Sequence, residues 1–225
     1  MDRLDRADKR KKPKEVSHQF SHHEGTREKL MKAALLLFAK QGYDGTSTKQ
    51  ICEAAGANIA AITYHFETKE NLLNTILAEK ISRDSSALTL ILKEAGTLEE
   101  FKIRVRLFCD NLIDLRLQNT DFHRLMVQEA PHNSKAFEVY KAGVASFRAI
   151  LMNFLKDARK KGFITIDVDL SVVGFMLFAL VVTPASDRLA ARINPDLDLS
   201  DGKKRNAYLN NVLRVLFQGL VGADD

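Results

Sequence analysis

Apolar residues recur every three or four positions along almost the whole chain. Leu30, Ala33, Ala34, Leu37 and Phe38 form one such stripe. The stripe predicts an amphipathic helix over 26–41, with Thr26 as N-cap and Gly42 as its stop. Ser47 and Gln50 have capping-box spacing, which opens a second helix through Ile51 and Ala54 to Ala55. Gly56 then allows a tight turn, where a positive φ favours a residue without Cβ. A short helix is expected over 58–66. Its Ile62 and Phe66, four apart, point inward, and Ala61, Tyr64 and His65 point outward. Thr68 caps a fourth, longer helix from Lys69, carrying Leu72, Leu73, Ile76, Leu77, Ile81, Leu88 and Ile91.

The same period continues. Thr97 and Glu100 form a second capping box ahead of Phe101, Val105, Phe108, Leu112 and Leu115. Asp121 starts a shorter helix through Glu129, which ends before Pro131. A long helix from Ser134 carries Phe137, Val144, Phe147, Leu151 and Phe154 and stops at Gly162. An extended connector over 164–168 leads to a helix over 169–192, in which Pro184 marks a kink or break. The last helix, from Lys203, carries Leu209, Val212, Leu213, Leu216 and Phe217. With 4 Pro and 11 Gly in 225 residues, turn signals are too sparse for a many-stranded sheet. The expected fold is all-α: an N-terminal three-helix helix-turn-helix domain over 25–72, and a larger C-terminal helical domain over 73–225.

Charge and composition refine this picture. Net charge is +5, a mild lean toward anionic partners. Lys9, Arg10, Lys11, Lys12 and Lys14 concentrate it in residues 1–24, read as a flexible basic arm that either tracks DNA phosphates or solubilises the chain. His18, His22 and His23 lie in the same arm without a second ligand cluster, so no metal is expected. Cys52 and Cys109 sit inside apolar helical patterns and read as small buried hydrophobes. The longest apolar run, 172–182, is too short to span a bilayer, and the charged N-terminus is unlike a signal peptide. The cytoplasm is the expected compartment, with no membrane partner. No GxSxG, P-loop, HExxH or CxxC is found, and the paired Asp167 and Asp169 suit a helix start. An enzyme is not expected, nor a cofactor.

A helix-turn-helix lays its second helix in the major groove while the first crosses the backbone. Close crossing demands small or apolar inner residues, which Ala54, Ala55, Gly56, Ile62 and Phe66 supply. Deep seating demands a small or polar outer face. Every residue of 58–65 outside the core, except Ile59, is small or hydrogen-bonding.

Three segments carry a resemblance: TREKLMKAALLLFAKQGYDGTS, the run ICEAAG at 51–56, and TYHFETKENLL from Thr63. Their order and spacing resemble the DNA-binding domain of the TetR family of transcriptional repressors. Weaker matches lie at 125–129 and 160–170. The resemblance implies that Tyr64, His65 and Lys69 meet phosphates and that Phe66 packs inside. It implies that Thr46, Ser47, Thr48 and Lys49 contact DNA backbone and sometimes bases, and that Asn58, Ile59, Ala60, Ala61 and Thr63 are recognition positions. Many members carry Lys, Gly and Thr where this chain has Ile59, Ala60 and Ala61. Methyl groups there read thymine methyls and Asn58 pairs with adenine, which predicts an A·T-bearing half-site.

For the remaining helices the resemblance implies an effector pocket and a dimer interface. Expected pocket residues are Phe101, Arg104, Phe108, Leu112, His123, Met126, Phe147 and Leu151, with Asp110 and Arg148 as further polar candidates. Their aromatic and Met content suits a small apolar or aromatic effector. Expected interface residues are Val172, Val173, Phe175, Met176, Phe178 and Ala179, with Val212, Leu213, Leu216 and Phe217. The run 172–182 is apolar on nearly all sides and is expected to be fully buried. The chain is thus expected to be a ligand-responsive repressor that binds a palindromic double-stranded operator as a homodimer. A helical ligand-binding or scaffold protein without DNA binding is the alternative.

Overall fold

A computed structural model describes residues 25–130, 134–185 and 189–221. The expected basic arm, 1–24, lies outside the described residues. Among them the chain forms ten α-helices: α1 Thr26–Gln41, α2 Thr48–Ala55, α3 Ala60–Phe66, α4 Lys69–Ile91, α5 Leu98–Gln118, α6 Thr120–Glu129, α7 Lys135–Lys160, α8 Leu170–Ala185, α9 Leu189–Ile193 and α10 Gly202–Val221. The fold is all-helical, as the three-to-four-residue period predicts.

Side-chain caps set most of the starts. Ser47 Oγ accepts from Gln50 N–H at 3.2 Å while Ser47 N–H donates to the Gln50 carboxamide oxygen at 2.8 Å. The side chains of Thr68, Thr97 and Ser134 likewise accept from the N–H groups of Asn71, Glu100 and Phe137, and at α5 the Glu100 carboxylate takes the Gly96 N–H, one residue before the cap. Two starts differ from expectation. Helix α1 is capped by Gly25, not Thr26; the Gly25 N–H donates to the Glu28 carboxylate at 2.8 Å. Helix α3 begins at Ala60, two residues late, because Asn58 Oδ1 takes the Ala60 N–H at 2.9 Å and so caps the helix from outside it. The helix expected over 169–192 is two. Pro184 sits in the last turn of α8, and α9 follows as a separate helix.

Two apolar cores result. The first joins Leu30, Phe38 and Ile51 to Ile62, Phe66 and the first half of α4, and also takes Phe122, Leu125 and Met126 from α6. It therefore extends well past residue 72. The second gathers Phe101, Phe108 and Ile113 of α5 with residues of α7, α8 and α10 and the far end of α4. Helix α4 runs through both: Leu72, Leu73, Ile76 and Leu77 lie in the first, Leu88 in the second. Both cysteines are free and buried. Burial pushes the Cys109 thiol up to about 12, which leaves it protonated and unreactive.

Candidate nucleic-acid interface and effector cavity

Helix α3 shows a sharply divided surface. Ile62 and Phe66 are buried, whereas Ile59 is 59% and Tyr64 84% exposed. Ala60 and Thr63 are exposed beside them. These four residues, spaced one, three and four apart, make one outward stripe. Gly56 makes the turn before it in the left-handed region, φ 64° and ψ 33°.

Several expected contact residues have other occupations. Thr46 is 1% exposed, and its hydroxyl donates to the Gly42 carbonyl at 2.8 Å. Its side chain therefore faces the protein, not a groove. Ala61 is half-buried against the first core instead of pointing out. Asn58 Oδ1 caps α3, so two-pronged pairing with adenine competes with the cap. Lys69 reaches inward: its ammonium donates to the carbonyls of Tyr43 at 2.9 Å and Thr46 at 2.8 Å and lies 4.1 Å from the Tyr43 ring centre. It pins the start of α4 to the α1–α2 corner. Ser47 and Lys49 are exposed, Thr48 and His65 half-buried. The His65 ring meets Tyr64 edge-on at 4.8 Å. Lys49 Nζ lies 3.9 Å from Glu53, a loose surface pair.

The join between α3 and α4 is strained. Glu67 adopts φ 67° and ψ −50°, and Thr68 N–H donates to the Phe66 carbonyl at 2.7 Å across it. This is a γ-turn of the rare positive-φ kind, on a residue with a Cβ. Arg27 adds a clamp from α1: its guanidinium pairs with Glu79 at 2.7 Å and lies 5.4 Å from the Phe66 ring centre.

A cavity of about 120 Å³ lies where the two cores meet. Helix α4 contributes Ile81, Asp84, Ser85 and Leu88; α5 contributes Leu112, Leu115 and Arg116; α6 contributes Phe122 and His123. Tyr140, Gly143, Val144 and Phe147 of α7 and Phe178 and Val182 of α8 complete it. Of the expected pocket residues, Leu112, His123 and Phe147 line it. The others do not. Phe101 stacks on Phe154 with ring centres 5.4 Å apart, Phe108 backs Phe147, Leu151 is in the second core and Met126 in the first. Arg104 pairs with Glu100 at 2.6 Å and donates to the Ile91 carbonyl. Asp110 pairs with Arg205 at 2.9 Å, and Arg148 is exposed away from the cavity. The largest group of missed walls, four residues, comes from α4. Their signal was Asp84 and Ser85, polar residues interrupting that helix's apolar stripe.

His123 is the cavity's distinctive polar group. Burial first, then the positive charges of Arg116 and Lys80, push its pKa down to about 3, so the ring is neutral. Its Nδ1 is buried with no hydrogen-bond partner.

The expected interface residues divide into two sets. Val172, Phe175, Met176 and Phe178 of α8 are 48, 70, 44 and 36% exposed, so the run is not fully buried in one chain. Ala179 is half-buried between them. Val173, Leu213 and Leu216 are buried in the chain's own core, Phe217 packs on it 6.2 Å from Phe101, and Val212 is half-buried. On α10, among the described residues, the exposed large apolar side chain is Val215, at 69%.

Comparison with known proteins agrees with this architecture. The sequence model of the bacterial regulatory proteins of the tetR family matches residues 30–76, from α1 into α4. The regulator YttP of Bacillus subtilis is 35% identical over 54 residues, 24% of this chain and 26% of that protein. The transcriptional repressor AcnR of Corynebacterium glutamicum is 31% identical over 74 residues, 33% of this chain and 37% of AcnR. These two matches thus span about a third or less of the relatives' length. The repressor NicS of Pseudomonas putida is 21% identical over 198 residues, 87% of this chain and 92% of NicS. Among solved structures, FadR of Bacillus subtilis in complex with stearoyl-CoA has a TM-score of 0.63 at 20% identity, covering 86% of this chain and 98% of FadR. GusR of Salmonella enterica has a TM-score of 0.64 at 22% identity, covering 92% and 100%. Residues 30–76 thus match the tetR family of bacterial regulatory proteins, and the chain is similar to a transcriptional repressor along most of its length.

Proposed function

We propose that this protein is a ligand-responsive repressor that acts in the cytoplasm, binding a palindromic operator as a homodimer and leaving it when a small effector fills the cavity. One observation carries this reading. Helix α4 holds the DNA-facing unit at one end and forms a cavity wall further along. At the crossing of α4 with α7 the two helices approach closely beside the cavity, since a Cβ on Gly143 would lie 2.7 Å from Ile81. A ligand entering there displaces α4 or α6, and both pack into the first core. Coupling of about 1–3 kcal/mol between sites changes affinity about 5- to 150-fold.

The reading face is Ile59, Ala60, Thr63 and Tyr64, with Ser47, Thr48, Lys49, His65 and the Asn58 amide at its border. Its methyl groups suit thymine-bearing half-sites. One such helix reads few base pairs, so two copies are required. The exposed apolar stripe of α8 with Val215 of α10 is the surface for the second copy. The effector is apolar or aromatic, and small: FadR is bound to stearoyl-CoA, but about 120 Å³ is far below the roughly 300–1,000 Å³ of pockets for larger ligands.

The test is footprinting on the DNA flanking the protein's own gene, with sedimentation of the same sample. A protected two-fold symmetric site bound by a dimer is expected. A dimer that protects no DNA there or elsewhere in the genome overturns the reading in favour of a ligand-binding protein without DNA function.

A further inference from the structure

We propose that the cavity takes a molecule with an apolar or aromatic body and one carboxylate, and that the Arg116 guanidinium receives that carboxylate. The proposal rests on the cavity being the effector site and adds the charge of the ligand.

The walls are mostly apolar. Ile81, Leu88, Leu112, Phe122, Phe147 and Val182 line the space, so the bulk of a guest there is apolar too. Two lining residues carry a full charge, Asp84 of α4 and Arg116 of α5. They are not equivalent. Asp84 has a counter-ion one turn back on its own helix. The Lys80 ammonium lies 2.6 Å from its carboxylate, and the two side chains are 14 and 24% exposed. That pair is neutral as a unit. Counted with Lys80, the charged groups of the wall therefore sum to one positive charge, and Arg116 brings it.

The other titratable residues of the wall, His123 and Tyr140, are neutral. Burial pushes the histidine pKa down to about 3 and the tyrosine pKa up. Arg116 acts on both rings. After burial, its charge is the next cause that lowers the His123 pKa, and it opposes the effect of burial at Tyr140. These rings stand on α6 and α7, so the positive field of the half-buried Arg116 crosses the cavity to the facing helices. Apolar walls screen such a field weakly. A monoanion offsets the single surplus charge. A phosphate monoester brings about two negative charges and leaves one in excess, and an ammonium meets its own sign. Among monoanions a carboxylate matches the planar, two-pronged guanidinium.

Calorimetric titration of the full chain with benzoate, benzamide, octanoate and octanamide tests this. Within each pair, size and shape are close and the charge differs. For at least one body, wild type is expected to bind the carboxylate about tenfold or more tighter than the amide. Arg116→Met keeps much of the apolar stem and is expected to bring that ratio close to one. Arg116→Lys retains the charge without the fork and is expected to fall between the two. Circular dichroism melting confirms that each variant folds, and the wild-type ratio decides even where one does not. Equal binding of carboxylate and amide by wild type overturns the proposal, as does failure of all four to bind. A carboxylate preference that survives in Arg116→Met overturns the arginine assignment. A separate arm repeats the operator footprint at a saturating concentration of the tighter carboxylate. Release supports the effector reading; measured binding with an unchanged footprint sinks that reading and leaves the carboxylate site standing.

Discussion

The two cores solve the same problem, burying apolar helix faces, at different scales. The first is made of short helices joined by tight corners: the cap at Ser47, the left-handed Gly56, the γ-turn at Glu67 and the Lys69 ammonium over the α1–α2 corner. Helices of seven or eight residues are not stable alone, so each corner must be fixed by specific chemistry. The second is made mainly of long helices held by broad apolar contact, with Phe101, Phe108, Leu155 and Leu177 fully buried. It tolerates loose geometry, and it is there and at the seam that a cavity survives. Precision at one end and looser packing at the other suit the proposed role, holding a shape for DNA and yielding to a ligand.

The cores share α4, so they are expected to unfold together. Leu77→Ala in the first core and Leu155→Ala in the second remove side chains that are both fully buried. Each is expected to cost about 2–5 kcal/mol. Each variant should still show one calorimetric transition, with calorimetric and van't Hoff enthalpies equal. Two separated transitions in either would break the idea that α4 ties the cores into one unit.

The corner chemistry separates two residues that the family resemblance treats alike. Tyr64 is 84% exposed, whereas Lys69 donates to two backbone carbonyls. Tyr64→Ala is expected to lose operator binding with a stability change below about 0.5 kcal/mol. Lys69→Met is expected to lose binding as well, but with about 2 kcal/mol of destabilisation, because charge-assisted hydrogen bonds are removed. Urea denaturation distinguishes them. Equal stabilities for the two variants would return Lys69 to a purely DNA-facing role.

The same contrast explains what could be read in the sequence. The helices were legible because apolar period and caps are local signals: Ser47 with Gln50, Thr97 with Glu100. The reading face was legible in outline, since Ile62 and Phe66 fix which side of α3 is inward. Thr46 and Lys69 were not, because their partners, Gly42, Tyr43 and Thr46 itself, are backbone carbonyls whose directions depend on how the corner folds. The pocket was least legible. Aromatic residues on α5 and α7 look alike in sequence, and only packing shows that Phe101 meets Phe154 while Phe147 faces the cavity. The α10 residues Leu213 and Leu216 show the same limit: an apolar stripe signals burial but not against which chain.

The slack region has a pH signature. The His123 imidazole has an ordinary pKa near 6.5 when unfolded and about 3 when folded. Between those values the unfolded chain binds a proton that the folded chain refuses, so stability is whole above pH 6.5 and falls as pH drops. Relative to His123→Gln, wild type is expected to lose about 2 kcal/mol between pH 7 and pH 5. Parallel denaturation of both proteins at the two pH values measures the difference. A constant gap would mean that water reaches the ring and that burial does not hold it neutral.

The smallest expected effect tests the precise end. At Glu67 the backbone holds φ 67°, and its carboxylate accepts from the Asn71 amide at 3.5 Å. Strain of this kind costs on the order of 1–3 kcal/mol on a residue with a Cβ. Glu67→Gly removes most of it and gives back roughly 0.5–1 kcal/mol through the freer unfolded chain. A net gain of about 1 kcal/mol in urea denaturation is expected, with the first core intact. Glu67→Val adds β-branching at the same φ and should lose stability instead. If glycine were the destabilising change, the α3–α4 join would be relaxed as it stands. The recognition helix would then be held by the contacts of Phe66 with the core and with Arg27, not by a tensioned corner.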